Sequence, residues 1–463
     1  MCQPPSQQSV GAILWTVWPN VTVERLQPIP SFGPQRIYEV VVSNGKTLIL
    51  VLPPPSILRL LRSEQLMVAS EAVVVRWARA ALSRNPAGEM VAVKMEPDDG
   101  SREPAHATVD DVERHEASDK DTDLLRLLPT LVHSSQERSN ELGFAYSFLE
   151  PTLGSPLALV SRSLSSLGRQ RVDGQMGQIF RQLARLTSPS GMFGPAVAVL
   201  APSSLHRTEL GGSGPMGVSG AATWTMAFHS MLESVLRDGE DMAITIPYSA
   251  IRRQFQRLSH FLDSVSVPRL VAIDGTNESV ILVSEPADGG SAPQTVFTTS
   301  IDTSLKGKSA VDNKNALDES KSNLRVCGLR DWSNCIFGDP LLATVFSEGP
   351  SESFLEGFNI TKTDPGPAQL PLGRDIIDDV DSADVRLIIY QAYHATASIV
   401  REFYRPHGDS SRRELEARRR LNEVLSKLVE VQADSKRKHP RPSGEMSPAK
   451  RIKPDEVAER SKG

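Results

Sequence analysis

Cysteine is nearly missing from this chain. Cys2, Cys327 and Cys335 are the only three in 463 residues. That is too few for a disulfide framework or a four-ligand zinc site, and it suits a reducing compartment. Long apolar runs are also missing. Nothing approaches the roughly 20 residues that a bilayer span requires, so no membrane partner is expected. The first residues carry Pro4, Pro5 and several glutamines instead of a basic segment leading into an apolar one, so no secretory signal is expected either. Nor is there an excess of positive charge: the net charge is -5, which argues against nucleic-acid binding by the chain as a whole. These absences point to the cytoplasm, the nucleus or both.

What is present is ordinary for a soluble globular protein: 39% hydrophobic and 23% charged residues. The length allows two packed lobes even with polar insertions subtracted. Residues 10–52 are expected to be strands, with a hairpin at Asn44-Gly45. Pro53, Pro54 and Pro55 end the last of them. The period then changes. Leu60, Leu61, Val68, Val75 and Ala78 recur at helical spacing over 56–83, and Glu71 lies in that helix. Residues 84–123 are rich in Pro, Gly, Asp, Glu and Ser, the composition of a disordered acidic insertion. Val93-Lys94-Met95-Glu96 within it has the pattern used for attaching a small ubiquitin-like modifier, a short match that is common by chance.

Order returns with two expected strands, 127–135 and 142–150. Helices are expected over 175–186, 221–238, 251–262, 385–404 and 413–431 from their apolar stripes. The glycines of GGSGPMG (211–217) match a dinucleotide fingerprint by spacing only. Pro215 interrupts them and no strand precedes them, so a surface loop is expected. Residues 284–323 form a second polar insertion, flanked by strands like an overgrown hairpin loop. The tail carries Lys436-Arg437-Lys438 and Lys450-Arg451-Ile452-Lys453 across a Pro/Ser spacer. That arrangement suits an import signal recognised by a nuclear-import receptor, against the plainer reading of a solvated basic tail.

Two acidic stretches carry the chemistry. In PRLVAIDGTNESVILV (268–283) an apolar run leads to Asp274, a polar turn and a strand. In LRVCGLRDWSNCIFGDP (324–340) a second strand leads to Asp331. Each also has a plain structural role: a turn-capping carboxylate for Asp274, and for Asp331 a strand-end acid paired with Arg330 or a backbone amide.

These stretches, with RIYEVVVSNGKTLILVLPPP, LLRSEQLMVASEA, ELGFAYSFLEP and LESVLRDGED in this order, resemble the aminoglycoside phosphotransferase and choline kinase-like superfamily, especially its fungal members. The resemblance covers residues 10–405 and implies an α+β, two-lobed protein-kinase-like fold: a small β-rich N-lobe with one helix and a larger, mainly helical C-lobe. On it, residues 1–83 and 124–150 make the N-lobe, 151–408 the C-lobe, 409–434 a charged C-terminal helix and 435–463 a disordered basic tail. It implies ATP and Mg2+ as cofactors and a small-molecule hydroxyl as acceptor. Asp274 matches the catalytic aspartate and Asp331 the magnesium ligand. Glu71 matches the glutamate that pairs with the phosphate-holding strand lysine. Glu150 ends the strand where adenine meets the backbone.

The departures fall on the same machinery. Ala272 stands where the histidine two residues before the catalytic aspartate is expected. Ser279 stands where the metal-binding asparagine is expected, with Asn277 nearby but offset. The strand lysine falls at Val51 or Leu52, and Lys46 belongs to the turn. Two readings follow. The first is a kinase-like fold with reduced or lost phosphoryl transfer and a binding or regulatory role. The second is an active ATP-dependent transferase in which Arg59 or Arg62 replaces the lysine. A scaffold built on the C-terminal helix and tail explains less of the chain. If Asp274 and Asp331 share a cleft with a cation between them, the enzyme reading gains.

Overall fold

Ser6 opens the first helix, its hydroxyl accepting the Ser9 amide at 3.0 Å. The computed structural model describes residues 4–31, 33–84, 124–137, 139–200, 220–284, 324–359 and 375–431. The Val93–Glu96 motif, the GGSGPMG loop and the basic tail lie outside them. So do both polar insertions, apart from Arg84 and Ser284 at their edges.

The capped segment is α1 (Gln7–Val17). Residues 10–17 are therefore helical, not the strand expected from their apolar character. Val10, Ile13 and Leu14 recur at one-turn spacing and are buried, which selects the helix. A five-stranded antiparallel sheet follows: β1 (Val23–Ile29), β2 (Arg36–Val42), β3 (Thr47–Leu52), β4 (Thr130–Ser135) and β5 (Tyr146–Glu150), in the order β1-β2-β3-β5-β4. Gly45 takes φ +78° in the β2–β3 hairpin, a value that glycine adopts without strain. Leu48, Leu50 and Leu52 on β3 join Val40, Val42 and Phe148 in the core beneath α1. Val51 points the other way, against Val68 of α2 (Met67–Arg84) and Leu149. Residues 56–66, expected at the start of that helix, form only a turn and a single 3-10 turn at Arg62–Glu64.

Beyond β5 the chain is mainly helical. Two small sheets, β10-β9-β6 and β7-β11-β8, sit among α3 (Ser166–Arg185), α4 (Trp224–Asp241), α5 (Tyr248–Leu258), α6 (Glu352–Phe358), α7 (Ala383–Tyr404) and α8 (Ser410–Glu430). Their strands are β6 (Ser155–Pro156), β7 (Gly194–Pro195), β8 (Arg269–Ala272), β9 (Ile281–Ser284), β10 (Arg325–Leu329) and β11 (Cys335–Gly338). β9 pairs antiparallel with β10, so the second insertion does interrupt a hairpin. β8 pairs instead with β11, and Asp274 lies on the passage from one sheet to the other. The whole is the α+β, two-lobed layout expected of a kinase-like fold, except that the sheet carries two helices, α1 on one face and α2 on the other, before the helical lobe begins. Among the described residues no helix is long and apolar enough to cross a membrane.

A buried polar chain ties α7 to the loop after β11. Trp224 Nε1 donates to the Tyr390 hydroxyl at 2.7 Å, and Tyr390 donates to Asp339 at 2.8 Å. Arg386 Nε lies 2.9 Å from the same carboxylate. Asp339 also accepts the Leu341 amide, starting the turn Pro340–Leu342. Elsewhere α3 and α6 touch backbone to backbone through Gly174, Gly177 and Gly357. A Cβ on Gly357 would land on the Gly174 carbonyl oxygen. Gly357→Ala is expected to cost about 1–3 kcal/mol of stability, since a well-packed contact cannot absorb the added volume. Urea unfolding measures it, and a loss within error would show that the helices separate easily.

Candidate functional site

Asp274 is held from below. Its Oδ2 accepts the Asn334 side-chain amide at 2.7 Å, and its Oδ1 accepts the Thr344 hydroxyl at 2.9 Å. The same hydroxyl lies 2.6 Å from the Ile273 carbonyl, so its one proton is shared between the two acceptors. The carboxylate therefore does not cap its own turn, and its orientation comes from two distant segments. Asp331 lies across the same cleft, which has a volume of about 770 Å3 and is lined by both acids. Its Oδ1 accepts the Ser333 amide at 2.8 Å, the backbone-amide role anticipated for it. Arg330 turns instead to the Pro30 carbonyl, 2.5 Å away. Burial pushes the Asp331 carboxyl above its usual range and Asp274 adds to the shift, against the pull of the Ser333 bond.

Glu71 stands behind Asp331. It is 2% exposed, and one oxygen accepts the Trp332 amide at 3.4 Å. The other has no hydrogen-bond partner among the described residues. Burial, reinforced by Asp331, pushes the carboxyl up to about 8. Arg330 pulls the carboxyl down only in part, and strand alternation explains why β3 adds no cation beside it. Val51, not Leu52, faces α2, one helical turn from Glu71 by way of Val68, and Val51 is 2% exposed in apolar contact. Val51 is walled off from the cleft, whose lining includes no residue of β3 or β5. Gly33, in the turn between β1 and β2, lies over Asp331, and a side chain there would sit in ordinary contact with Asp331 Oδ2 at 3.9 Å. Cys335 is buried behind these acids, and burial and Asp331 drive its thiol well above its ordinary value.

The other candidates scatter. Asn277 lines the cleft, but its Oδ1 accepts the Ser279 amide at 2.9 Å, and Ser279 does not line it. Glu150 sits at the strand end and pairs with Lys46 at 2.7 Å on the surface, away from the two acids. Arg62 is committed to Asp238 and, at 2.8 Å, to Asp241, while Arg59 approaches the Met242 sulfur. Neither arginine lines the cleft. Sequence reasoning missed Asn334 and Thr344, which orient Asp274, and the polar face of α7 formed by His394, Ser398 and Arg401. The helical stripe of α7 was legible in the sequence, but only for its apolar side.

The donor set for a magnesium–nucleotide complex is incomplete. Asp331 is in place, but the asparagine position is a serine outside the cleft lining, and Val51 of β3 is buried in apolar contact. Among the described residues no three His, Cys, Asp or Glu side chains gather closely enough to hold a metal ion. The arrangement can orient a hydroxyl or amine at Asp274. It places no cation of β3 beside Asp331, where a kinase-like site would meet the phosphates of a nucleotide.

No family model matches the chain, and no curated protein matches it by sequence. Several solved structures are similar in fold. The GDP complex of wild-type aminoglycoside 2'-phosphotransferase-IIIa aligns at 9% identity and a TM-score of 0.43, covering 91% of this chain and 99% of its own. A complex of streptomycin, ATP and APH(2")-IIa aligns at 9% identity and a TM-score of 0.42, covering 93% and 98%. Macrolide 2'-phosphotransferase MphH from Brachybacterium faecium aligns at 11% identity and a TM-score of 0.35, covering 90% and 98%.

Proposed function

We propose that this chain is an aminoglycoside phosphotransferase-like protein whose phosphoryl transfer is reduced or lost, and whose cleft binds a small molecule in a regulatory role. The observation that carries this reading is Glu71, a buried carboxyl whose partner position on β3 is Val51. A kinase-like site places a lysine there to hold the nucleotide phosphates. Without it, the phosphates lose their cation and Glu71 becomes a neutral acid at pH 7. The position of Ser279 outside the cleft supports the same reading.

One observation favours an active transferase: Asp274 and Asp331 line a single cleft. In that reading Asp274 would orient the acceptor hydroxyl. Thermal unfolding with saturating ATP and Mg2+ separates the two. A midpoint unchanged within about one degree is expected; binding at 100 times Kd would add about 2.7 kcal/mol, a shift of several degrees. A clear shift accompanied by ATP consumption that Asp274→Asn abolishes would establish the transferase.

A further inference from the structure

One stripe of α7 forms the wall of the cleft beside Asp274. At about 100° per residue, His394, Ser398 and Arg401 fall within one narrow sector, and all three line the cleft. His394 Nε2 lies 2.8 Å from the Leu342 carbonyl. A carbonyl can only accept, so the ring proton sits on Nε2 and Nδ1 keeps its lone pair. Burial lowers the histidine's proton affinity, which keeps the ring neutral.

The cations of the cleft differ in one respect. Arg405 pairs with Glu64, Arg413 with Glu402 at 3.1 Å, Arg420 with Glu416 at 2.5 Å and Lys427 with Glu423 at 2.6 Å. Arg401 lines the same cleft, is half-buried and has no carboxylate partner among the described residues. Thr344–Glu348 packs against α7, and there the Ser347 hydroxyl lines the cleft as well, buried and without a hydrogen-bond partner among the described residues. A guanidinium on a cleft wall with no carboxylate partner is open to an anion, and its planar fork suits a carboxylate or phosphate. Four neighbouring cations are already answered from within the chain.

We propose that Arg401 anchors the anionic group of the cleft's ligand, a small acid bearing a carboxylate or phosphate at one end and a hydroxyl or amine at the other. The second group faces His394 Nδ1 and Asp274. His394 and Arg401 are seven helical steps apart, about 10 Å of rise, which the length of the Arg401 side chain shortens to the reach of a small acid. This rests on the reading of the cleft as a small-molecule site and deepens it with a ligand class.

The test uses the full chain without nucleotide. Sodium phosphate, glycerol 3-phosphate and glycerol are titrated at constant ionic strength, followed by thermal unfolding and calorimetry. The two phosphate-bearing probes are expected to raise the midpoint, and glycerol to leave it unchanged. Arg401→Gln is expected to weaken both by about tenfold or more, the worth of one charge-assisted pair. Arg401→Lys should recover part of the affinity, and Arg412→Gln, an exposed arginine outside the cleft, should keep it. Circular dichroism confirms that each variant is folded. Equal affinity in wild type and Arg401→Gln overturns the proposal, and so does a wild type that responds to neither phosphate probe. Neither outcome touches the question of ATP-dependent transfer, which is read in the nucleotide experiment above, so the two can fail separately.

Discussion

Glu71→Gln is expected to stabilise the protein at pH 8 and to leave it nearly unchanged at pH 5. The sign follows from proton linkage. The carboxyl has an ordinary value of 4.5 in the unfolded chain and about 8 in the fold, raised by burial and by Asp331. Between those values the native state holds a proton that the unfolded state has released, so unfolding becomes easier as pH rises. Stability is full below pH 4.5, falls through the window and levels off above pH 8. Each pH unit across the window costs about 1.4 kcal/mol, and the total is on the order of 4 kcal/mol. Glutamine keeps the shape and an acceptor for the Trp332 amide but cannot ionise, so its stability curve lacks the fall. Urea unfolding of both proteins from pH 5 to pH 9 is the measurement. Parallel curves would mean that Glu71 has found a cation or water that the buried geometry does not suggest, and would remove the main support for a lost lysine pair.

Arg386→Met is expected to cost about 3–5 kcal/mol, the typical penalty for stripping one partner from a buried pair. Arg386 and Asp339 are 0% and 1% exposed, and the arginine also donates to Ser264 at 2.8 Å and to the Asp378 carbonyl at 2.5 Å. Methionine fills much of the volume but leaves Asp339 facing only the Tyr390 hydroxyl and the Leu341 amide. The double variant Arg386→Met with Asp339→Asn should regain part of the loss, because the unpaired charge goes with the carboxylate. A single-variant loss under about 1 kcal/mol would show that water reaches the pair. The effect should also reach the site. Asp339 starts the turn that leads to Thr344, and Thr344 holds Asp274. Faster amide exchange at Ala343 and Thr344 is the expected sign of a loosened turn.

Much of the fold was legible because its signals are local. The Asn44-Gly45 hairpin, the apolar stripes of α4 and α7 and the strands around Asp274 and Asp331 come from residue preferences and spacing over a few residues. α1 was missed for a local reason as well: VGAILWTV is apolar enough to pass for a buried strand, and only the Ser6 cap and the spacing of Val10, Ile13 and Leu14 favour the helix. The site is different. Strand alternation separates Val51 from Leu52 but cannot say which of them meets α2. Asn334 and Thr344 reach Asp274 from 60 and 70 residues away.

Local pattern alone sets the order of elements that carries Asp274, Asp331 and Glu71, and shows that the strand at residues 47–52 bears no positive charge. The burial of Glu71 beside Asp331, with only Arg330 acting against that burial from a distance and no ion pair among the described residues, comes from the packing of the lobes. Tertiary structure alone placed Arg62 with Asp238 and Asp241, away from the cleft, and left Arg401 without a carboxylate among the described residues. The physical reason is that charge pairing depends on which groups share a dry space. That is settled by packing between segments far apart in the chain, and no local pattern records it.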